Sequence, residues 1–144
     1  MTADDRALRE RLAQALEPRG EILEAYLFGS TATGSAQAHS DVDVAVYLAH
    51  PRPAASPFGY PADLTAVLMQ ALGRQKVDVV ILNEAPPLLY HRVLRDGVRI
   101  FSRDLQATTT REGRALSRYC DYVVQLAKID AVHGARIEAG RFGR

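Results

Sequence analysis

Apolar residues recur at helical spacing near the start of the chain. They are Leu8, Leu12, Ala15 and Leu16, and Thr2 precedes them as a candidate helix cap. Side chains spaced three and four residues apart share one face of a helix. Pro18 and Gly20 then end the pattern before the first apolar strand. The chain is therefore predicted to open with a helix that covers one face of a sheet.

Short apolar runs rich in β-branched residues follow this helix. They predict strands at about 25–28, 42–48 and 77–82, and a short edge strand at 98–101. Helical patterns alternate with these runs, which is typical of a sheet with helices packed on it. We expect an α/β (α+β) fold with a small mixed sheet and its helices on one side.

Three further helices are predicted by the same periodicity. One covers about 64–72 and ends at Gly73, and another runs from Pro86 to Gly97, where the glycine takes the left-handed cap position. A long last helix at about 110–138 has apolar residues spaced for packing, namely Leu116, Tyr119, Val123, Leu126 and Ile129. We expect one domain over 1–144, with the C-terminal region of about 105–138 as a helical appendage and a frayed tail.

Composition narrows the class of protein. Hydrophobic residues make up 47% of the chain, charged residues 24%, and the formal net charge is +1, which does not favour a general nucleic-acid or membrane binder. The single cysteine, Cys120, excludes an internal disulfide, and the four histidines lack the spacing of a zinc site. With a single cysteine, a reducing cytoplasm is the simplest compartment, and no stretch predicts a signal peptide or a membrane span.

The residues that are candidates for a catalytic site lie where the first two predicted strands meet. Gly29-Ser30 follows one apolar run, and Asp41-Val42-Asp43 begins the next after ten intervening residues. Asp41 and Asp43 share a strand face because side chains alternate along a strand. Glycine allows a sharp turn close to a ligand, and the serine hydroxyl with successive amides binds phosphate oxygens. The pattern predicts a triphosphate turn beside two carboxylates, as in nucleotidyl transfer assisted by two magnesium ions.

A third carboxylate, Asp78, lies in the apolar run of the predicted third strand. A charge among valines is costly unless a metal ion or a proton compensates it. Asp78 is therefore a candidate third metal ligand, or the base that receives the proton of the acceptor. The alternative is an exposed strand end paired with Lys76 or Arg74.

These residues resemble the minimal nucleotidyltransferase group of the DNA polymerase beta superfamily, in particular the MNT antitoxins that pair with HEPN-domain toxins. The resemblance spans about 21–101 and rests on Gly-Ser, the spacing, Asp-x-Asp and the later aspartate. It implies a Mg²⁺-dependent transfer of AMP from ATP to a tyrosine hydroxyl of the toxin, which silences the toxin. By position, Gly29 and Ser30 would bind the nucleotide, and Asp41, Asp43 and Asp78 would form the metal and catalytic set.

Two other functions stay open. Many relatives carry a basic residue where this chain has Thr33, so that triphosphate binding would weaken or depend on another arginine such as Arg95 or Arg99. This departure leaves open a non-catalytic antitoxin that acts by stoichiometric contact. Transfer to a small molecule, as in aminoglycoside-type enzymes, is the other alternative, although a chain this short favours a protein acceptor.

Overall fold

The computed structural model describes residues 3–29, 41–50 and 56–138, with side chains up to residue 135. Its helices are α1 (Ala3–Leu16), α2 (Tyr60–Leu72), α3 (Pro87–Asp96) and α4 (Leu105–Glu138). Its strands are β1 (Ile22–Phe28), β2 (Val42–Leu48), β3 (Val77–Ile81) and β4 (Val98–Ser102). The predicted elements are thus confirmed, and the ends of several shift by a few residues.

The four strands form one mixed sheet in the order β3-β2-β1-β4. β1 pairs antiparallel with β2 and with β4, whereas β2 and β3 run parallel. A parallel pair needs a crossover connection, and α2 supplies it between β2 and β3. The α/β (α+β) class with a small mixed sheet is confirmed, and β3 and β4 lie at the two edges.

Helices cover both faces of the sheet, so the expectation of helices on one side was wrong. Leu12 of α1 and Leu68 of α2 pack with Val44 in one apolar cluster. Tyr90 of α3 and Ala115 of α4 pack with Tyr26 in a second cluster on the opposite face. The central strand β1 is buried along almost its whole length. Both of its faces therefore need an apolar cover, as in strands enclosed between two helical layers.

A buried ion pair anchors α4 to the sheet. Glu24 of β1 is 0% exposed, and Arg111 of α4 donates from Nε to its Oε2 at 2.7 Å and from Nη2 to its Oε1 at 2.5 Å. The hydroxyl of Thr108 donates to Oε1 at 2.9 Å. The Arg111 guanidinium also lies 4.9 Å from the centre of the Tyr47 ring. One end of α4 is thereby fixed across the sheet face.

The rest of α4 departs from the expected packing. Four residues predicted to pack inward are large exposed hydrophobics, namely Leu116, Val123, Leu126 and Ile129, and only Tyr119 is partly buried. The helix of 34 residues is about 50 Å long at 1.5 Å per residue, so it extends past the elements that cover its start. Nevertheless, no helix within the described ranges is long and apolar enough to cross a membrane.

Two predictions about the ends of helices were wrong. α4 begins at Leu105 rather than near 110, because the Asp104 side chain accepts a hydrogen bond from the Ala107 N–H at 3.2 Å and caps the helix. Gly97 is extended, with φ −86° and ψ 168°, and does not take the left-handed cap conformation. It is glycine because a Cβ there would lie 2.3 Å from the Val93 carbonyl oxygen. Gly73 does take the left-handed cap, with φ 65°.

Replacing Glu24 by Gln removes the charge that compensates Arg111 inside the fold. We expect the free energy of unfolding to fall by about 3 kcal/mol or more, since breaking a buried pair from one side leaves an uncompensated charge. Urea denaturation followed by circular dichroism measures this change. The control is Asp96→Asn, which breaks the exposed pair of Arg95 and Asp96 and is expected to leave the unfolding midpoint unchanged. Equal effects of the two substitutions would contradict the anchoring role of Glu24.

Candidate functional site

β1 ends in a turn that brings the main chain against an acidic side chain. Gly29 has φ +75°, in the left-handed region that favours glycine. A Cβ on Gly29 would lie 2.1 Å from Oδ2 and 3.1 Å from Cγ of Asp43. Glycine therefore serves two purposes here, since it allows the turn and leaves room for the Asp43 carboxylate.

The parallel pairing of β2 with β3 places Asp43 directly opposite Asp78. Residues opposite each other in neighbouring strands point to the same face, and the strands lie about 4.8 Å apart. On its other side, Asp43 pairs with Phe28, the residue before Gly29. Asp43, Asp78 and the Gly29 turn therefore meet at one end of the sheet.

The charges at this end act on one another. The pKa of the Asp43 carboxyl is raised above its ordinary value, mainly by burial and further by the negative charges of Asp78 and Asp41. Asp43 is half-buried, whereas Asp41 and Asp78 are exposed. A carboxyl group whose pKa is raised by neighbouring carboxylates is held closer to them than electrostatic repulsion favours. A bound cation removes that repulsion.

The donor chemistry of these three residues fits magnesium. Mg²⁺ prefers hard oxygen ligands and is usually held by one or two carboxylates together with substrate phosphates. Within the part of the chain that is described, no group of three or more His, Cys, Asp or Glu side chains is already assembled around a cation position. The pair that the backbone fixes is Asp43 and Asp78, while Asp41 lies just before β2. This arrangement fits a site that is completed by the phosphates of a nucleotide.

Some predicted site positions lie outside the described residues. Ser30 and Thr33 both belong to the segment between 29 and 41. The two arginines considered as replacement cations are each bound to a carboxylate within the chain. Arg95 pairs with Asp96 at 2.9 Å, and Arg99 pairs with Glu112 at 2.6 Å.

A cleft of about 490 Å³ on the face of the sheet that α3 and α4 cover was not predicted. Tyr26, His91, Arg99 and Glu112 help to line it, between β1, α3, β4 and α4. The Tyr26 hydroxyl donates to Glu112 Oε2 at 2.6 Å, so Glu112 bridges Tyr26 and Arg99. Little in the sequence indicated that these residues would form a cleft, because Glu112 is 86 residues from Tyr26 along the chain.

Comparison with known families agrees with this geometry. The family model described as Polymerase beta, Nucleotidyltransferase matches residues 10–106, which is more than half of the chain. The matched range includes Gly29, Asp41, Asp43 and Asp78. No curated protein matches the sequence significantly.

Several solved structures share the fold. A chain of a toxin–antitoxin crystal structure with AMP-PNP is 25% identical, with a TM-score of 0.70 over 86% of this chain and 97% of that chain. A complex of a tri-AMPylated Shewanella oneidensis HEPN toxin with its MNT antitoxin gives 23% identity and a TM-score of 0.67, over 89% and 98%. The toxin–antitoxin MntA-HepT gives 23% identity and a TM-score of 0.66, over 88% and 97%.

Gly29→Ala tests the close contact between the turn and Asp43. The matched control is Gly73→Ala, because Gly73 also has positive φ, at +65°, but no neighbouring atom lies within 4 Å of the position that a Cβ would take. We expect Gly73→Ala to lower the free energy of unfolding by about 1 kcal/mol through backbone strain alone. Gly29→Ala is expected to cost about 2 kcal/mol or more, since the methyl group also displaces the Asp43 carboxylate.

Urea denaturation measures both costs, and an Asp43→Ala background separates them. In that background Gly29→Ala is expected to cost no more than Gly73→Ala, because the carboxylate is gone. Equal costs of the two glycine substitutions in the unsubstituted chain would refute the contact.

Proposed function

Because the chain belongs to the polymerase beta nucleotidyltransferase family, we propose that it is the antitoxin of a HEPN/MNT pair and transfers AMP from ATP to a tyrosine hydroxyl of its toxin. The observation that carries this proposal is the Asp43 and Asp78 pair beside the Gly29 turn. Two solved neighbours support it, one a toxin–antitoxin with AMP-PNP and the other a complex containing a tri-AMPylated HEPN toxin.

The turn after β1 receives the nucleotide. Gly29 permits the main chain to approach a ligand closely, and we assign the triphosphate to Gly29 and Ser30. Asp41, Asp43 and Asp78 would hold Mg²⁺, which when bound supplies charge stabilisation at the phosphate oxygens. Asp43 lies nearest to the turn and so connects the nucleotide to the acidic pair.

The acceptor approaches from the open edge of the sheet. β3 is an edge strand, and Asp78 on it is exposed, whereas Asp43 lies on an inner strand and is half-buried. The acceptor oxygen attacks the α-phosphorus of ATP, the bond from this phosphorus to the bridging oxygen breaks, and pyrophosphate leaves. The exposed Asp78 carboxylate would act either as the third Mg²⁺ ligand or as the base that orients the tyrosine hydroxyl and receives its proton.

An exposed apolar surface supports a protein partner. The apolar face of α4, formed by Leu116, Val123, Leu126 and Ile129, leaves each of these side chains more than 40% exposed. Adjacent large apolar side chains in water are typical of protein–protein contact surfaces. We assign this face to the HEPN toxin, since the solved neighbours are two-component toxin–antitoxin assemblies.

The same face also favours a second candidate, a non-catalytic antitoxin that neutralises its toxin by contact alone. Contact requires only the apolar face of α4, while catalysis also requires the aspartates. The two functions therefore respond differently to substitution of Asp43.

Incubation with ATP, Mg²⁺ and the cognate HEPN toxin, followed by intact-mass measurement of the toxin, tests catalysis. We expect the toxin mass to rise by whole multiples of one AMP group. Asp43→Asn is expected to keep the fold and lower the transfer rate by about a hundredfold or more, because charge stabilisation in the transition state contributes several kcal/mol. EDTA is expected to have the same effect.

Asp4→Asn, which removes an exposed aspartate of α1, is the matched control and should transfer AMP at the normal rate. A toxin that binds tightly but gains no mass would rule out transferase activity and favour the contact function.

The apolar face of α4 is tested by Leu126→Ser with Ile129→Ser. We expect the dissociation constant of the toxin complex to rise at least about tenfold, since losing 1.4 kcal/mol of apolar burial corresponds to a factor of ten. The melting temperature of the isolated chain should not fall, because both side chains are exposed, at 43% and 63%. Isothermal titration calorimetry measures the affinity.

The control for this experiment is Asp121→Ala with Lys128→Ala, which changes exposed polar residues on another side of the same helix. If both double variants bind the toxin like the unsubstituted chain, the partner surface lies elsewhere.

A further inference from the structure

A second polar cavity lies at the end of the sheet away from the aspartates. It has a volume of about 250 Å³ and is lined by Tyr47, Tyr90 and three arginines of α4, Arg111, Arg114 and Arg118. The arginines are three and four residues apart, so they share one face of the helix. Tyr47 is four residues beyond Asp43 on β2, or about 13 Å at 3.3 Å per residue. The cavity is thus separate from the nucleotide turn.

Positive charge in this cavity is only partly compensated. Arg111 is bound to Glu24, and the Arg118 guanidinium lies over the Tyr90 ring at 5.9 Å from its centre. Arg114 is exposed and makes no hydrogen bond or ion pair among the described residues. No acidic side chain is among the described residues that line the cavity. Two guanidinium groups are therefore available to an anion.

The Tyr90 hydroxyl is an independent sign of a ligand. Tyr90 is 2% exposed, and its hydroxyl oxygen is buried with no hydrogen-bond partner among the described residues. Burial raises the pKa of this phenol, and the charges of Glu24 and Arg111 also act on it. The Tyr90 hydroxyl therefore stays protonated beside the cavity wall. A buried donor without an acceptor costs about 1 to 3 kcal/mol, and an anionic oxygen would supply the acceptor.

We propose that this cavity binds a small phosphoryl anion, with Arg114 and Arg118 holding its oxygens and the Tyr90 hydroxyl donating to it. Guanidinium groups match phosphate geometry through paired N–H donors. The volume suits inorganic phosphate or pyrophosphate, and it is below the roughly 300 to 1,000 Å³ of pockets that enclose larger ligands. Free anions are therefore favoured over the phosphate tail of a whole nucleotide.

Isothermal titration calorimetry with pyrophosphate tests the site, at low ionic strength and in EDTA. EDTA removes divalent cations, so the aspartates repel the anion and do not contribute to its binding. We expect one binding site, and at least a tenfold weaker affinity in Arg114→Gln with Arg118→Gln. Arg6→Gln with Arg11→Gln removes the same charge from the exposed side of α1 and should bind like the unsubstituted chain. Asp43→Asn should also bind normally.

Three outcomes would overturn the proposal. They are no pyrophosphate binding, equal weakening by both arginine pairs, or binding of ATP but not of pyrophosphate under the same conditions. The third would indicate recognition of a nucleoside, which the cavity volume does not accommodate. None of these outcomes bears on AMP transfer, because that activity is measured with Mg²⁺ and the toxin.

Tyr90→Phe gives a second readout that does not depend on the arginines. Without anion, we expect its melting temperature to rise by about 3 °C, since the variant no longer buries an unpaired hydroxyl. We also expect pyrophosphate to bind several-fold more weakly, because one donor is lost. An unchanged melting temperature together with unchanged binding would remove Tyr90 from the site.

Discussion

The register between β2 and β3 is the constraint on which the rest of the structure depends. It places Asp43 opposite Asp78, and two carboxylates so placed repel each other. The apolar side chains of β2 oppose that repulsion, because Val42, Val44 and Val46 are fully buried in the layer under α1 and α2. If the pairing register of β2 shifted by one residue, the aspartates would face this apolar layer and the valines would face the opposite side of the sheet. Core packing therefore holds together an acidic pair that a cation would stabilise.

A second buried interaction determines where the long helix lies. The pair of Glu24 and Arg111 fixes the first turns of α4 across the sheet, and the helix then extends with its apolar face in water. The proposed catalytic residues and the proposed partner surface consequently lie on different elements. Under the proposed function, a toxin held by α4 would be attached to the same domain that carries the aspartates, which would raise the effective concentration of its tyrosine.

Sequence patterns were sufficient where neighbouring residues decide the structure. Strand alternation predicted that Asp41 and Asp43 share a face, and the apolar run around Asp78 predicted the strand that pairs with β2. Periodicity could not tell whether the apolar face of α4 is covered by this chain or by another, since the spacing is the same in both cases. Similarly, Gly97 is required by the close Val93 carbonyl, and Glu24 by an arginine 87 residues away. Such contacts are set by tertiary packing and leave no local pattern.

The claim that the aspartates form a cation site beside the Gly29 turn is tested most directly by titrating the ¹⁵N-labelled chain with Mn²⁺. Mn²⁺ shares the oxygen ligands of Mg²⁺, and its unpaired electrons broaden nearby NMR signals. We expect the amide signals of Gly29, Asp43 and Asp78 to broaden first, and Asp43→Asn to abolish this selectivity. Broadening centred elsewhere, or equal broadening in the variant, would contradict the claim.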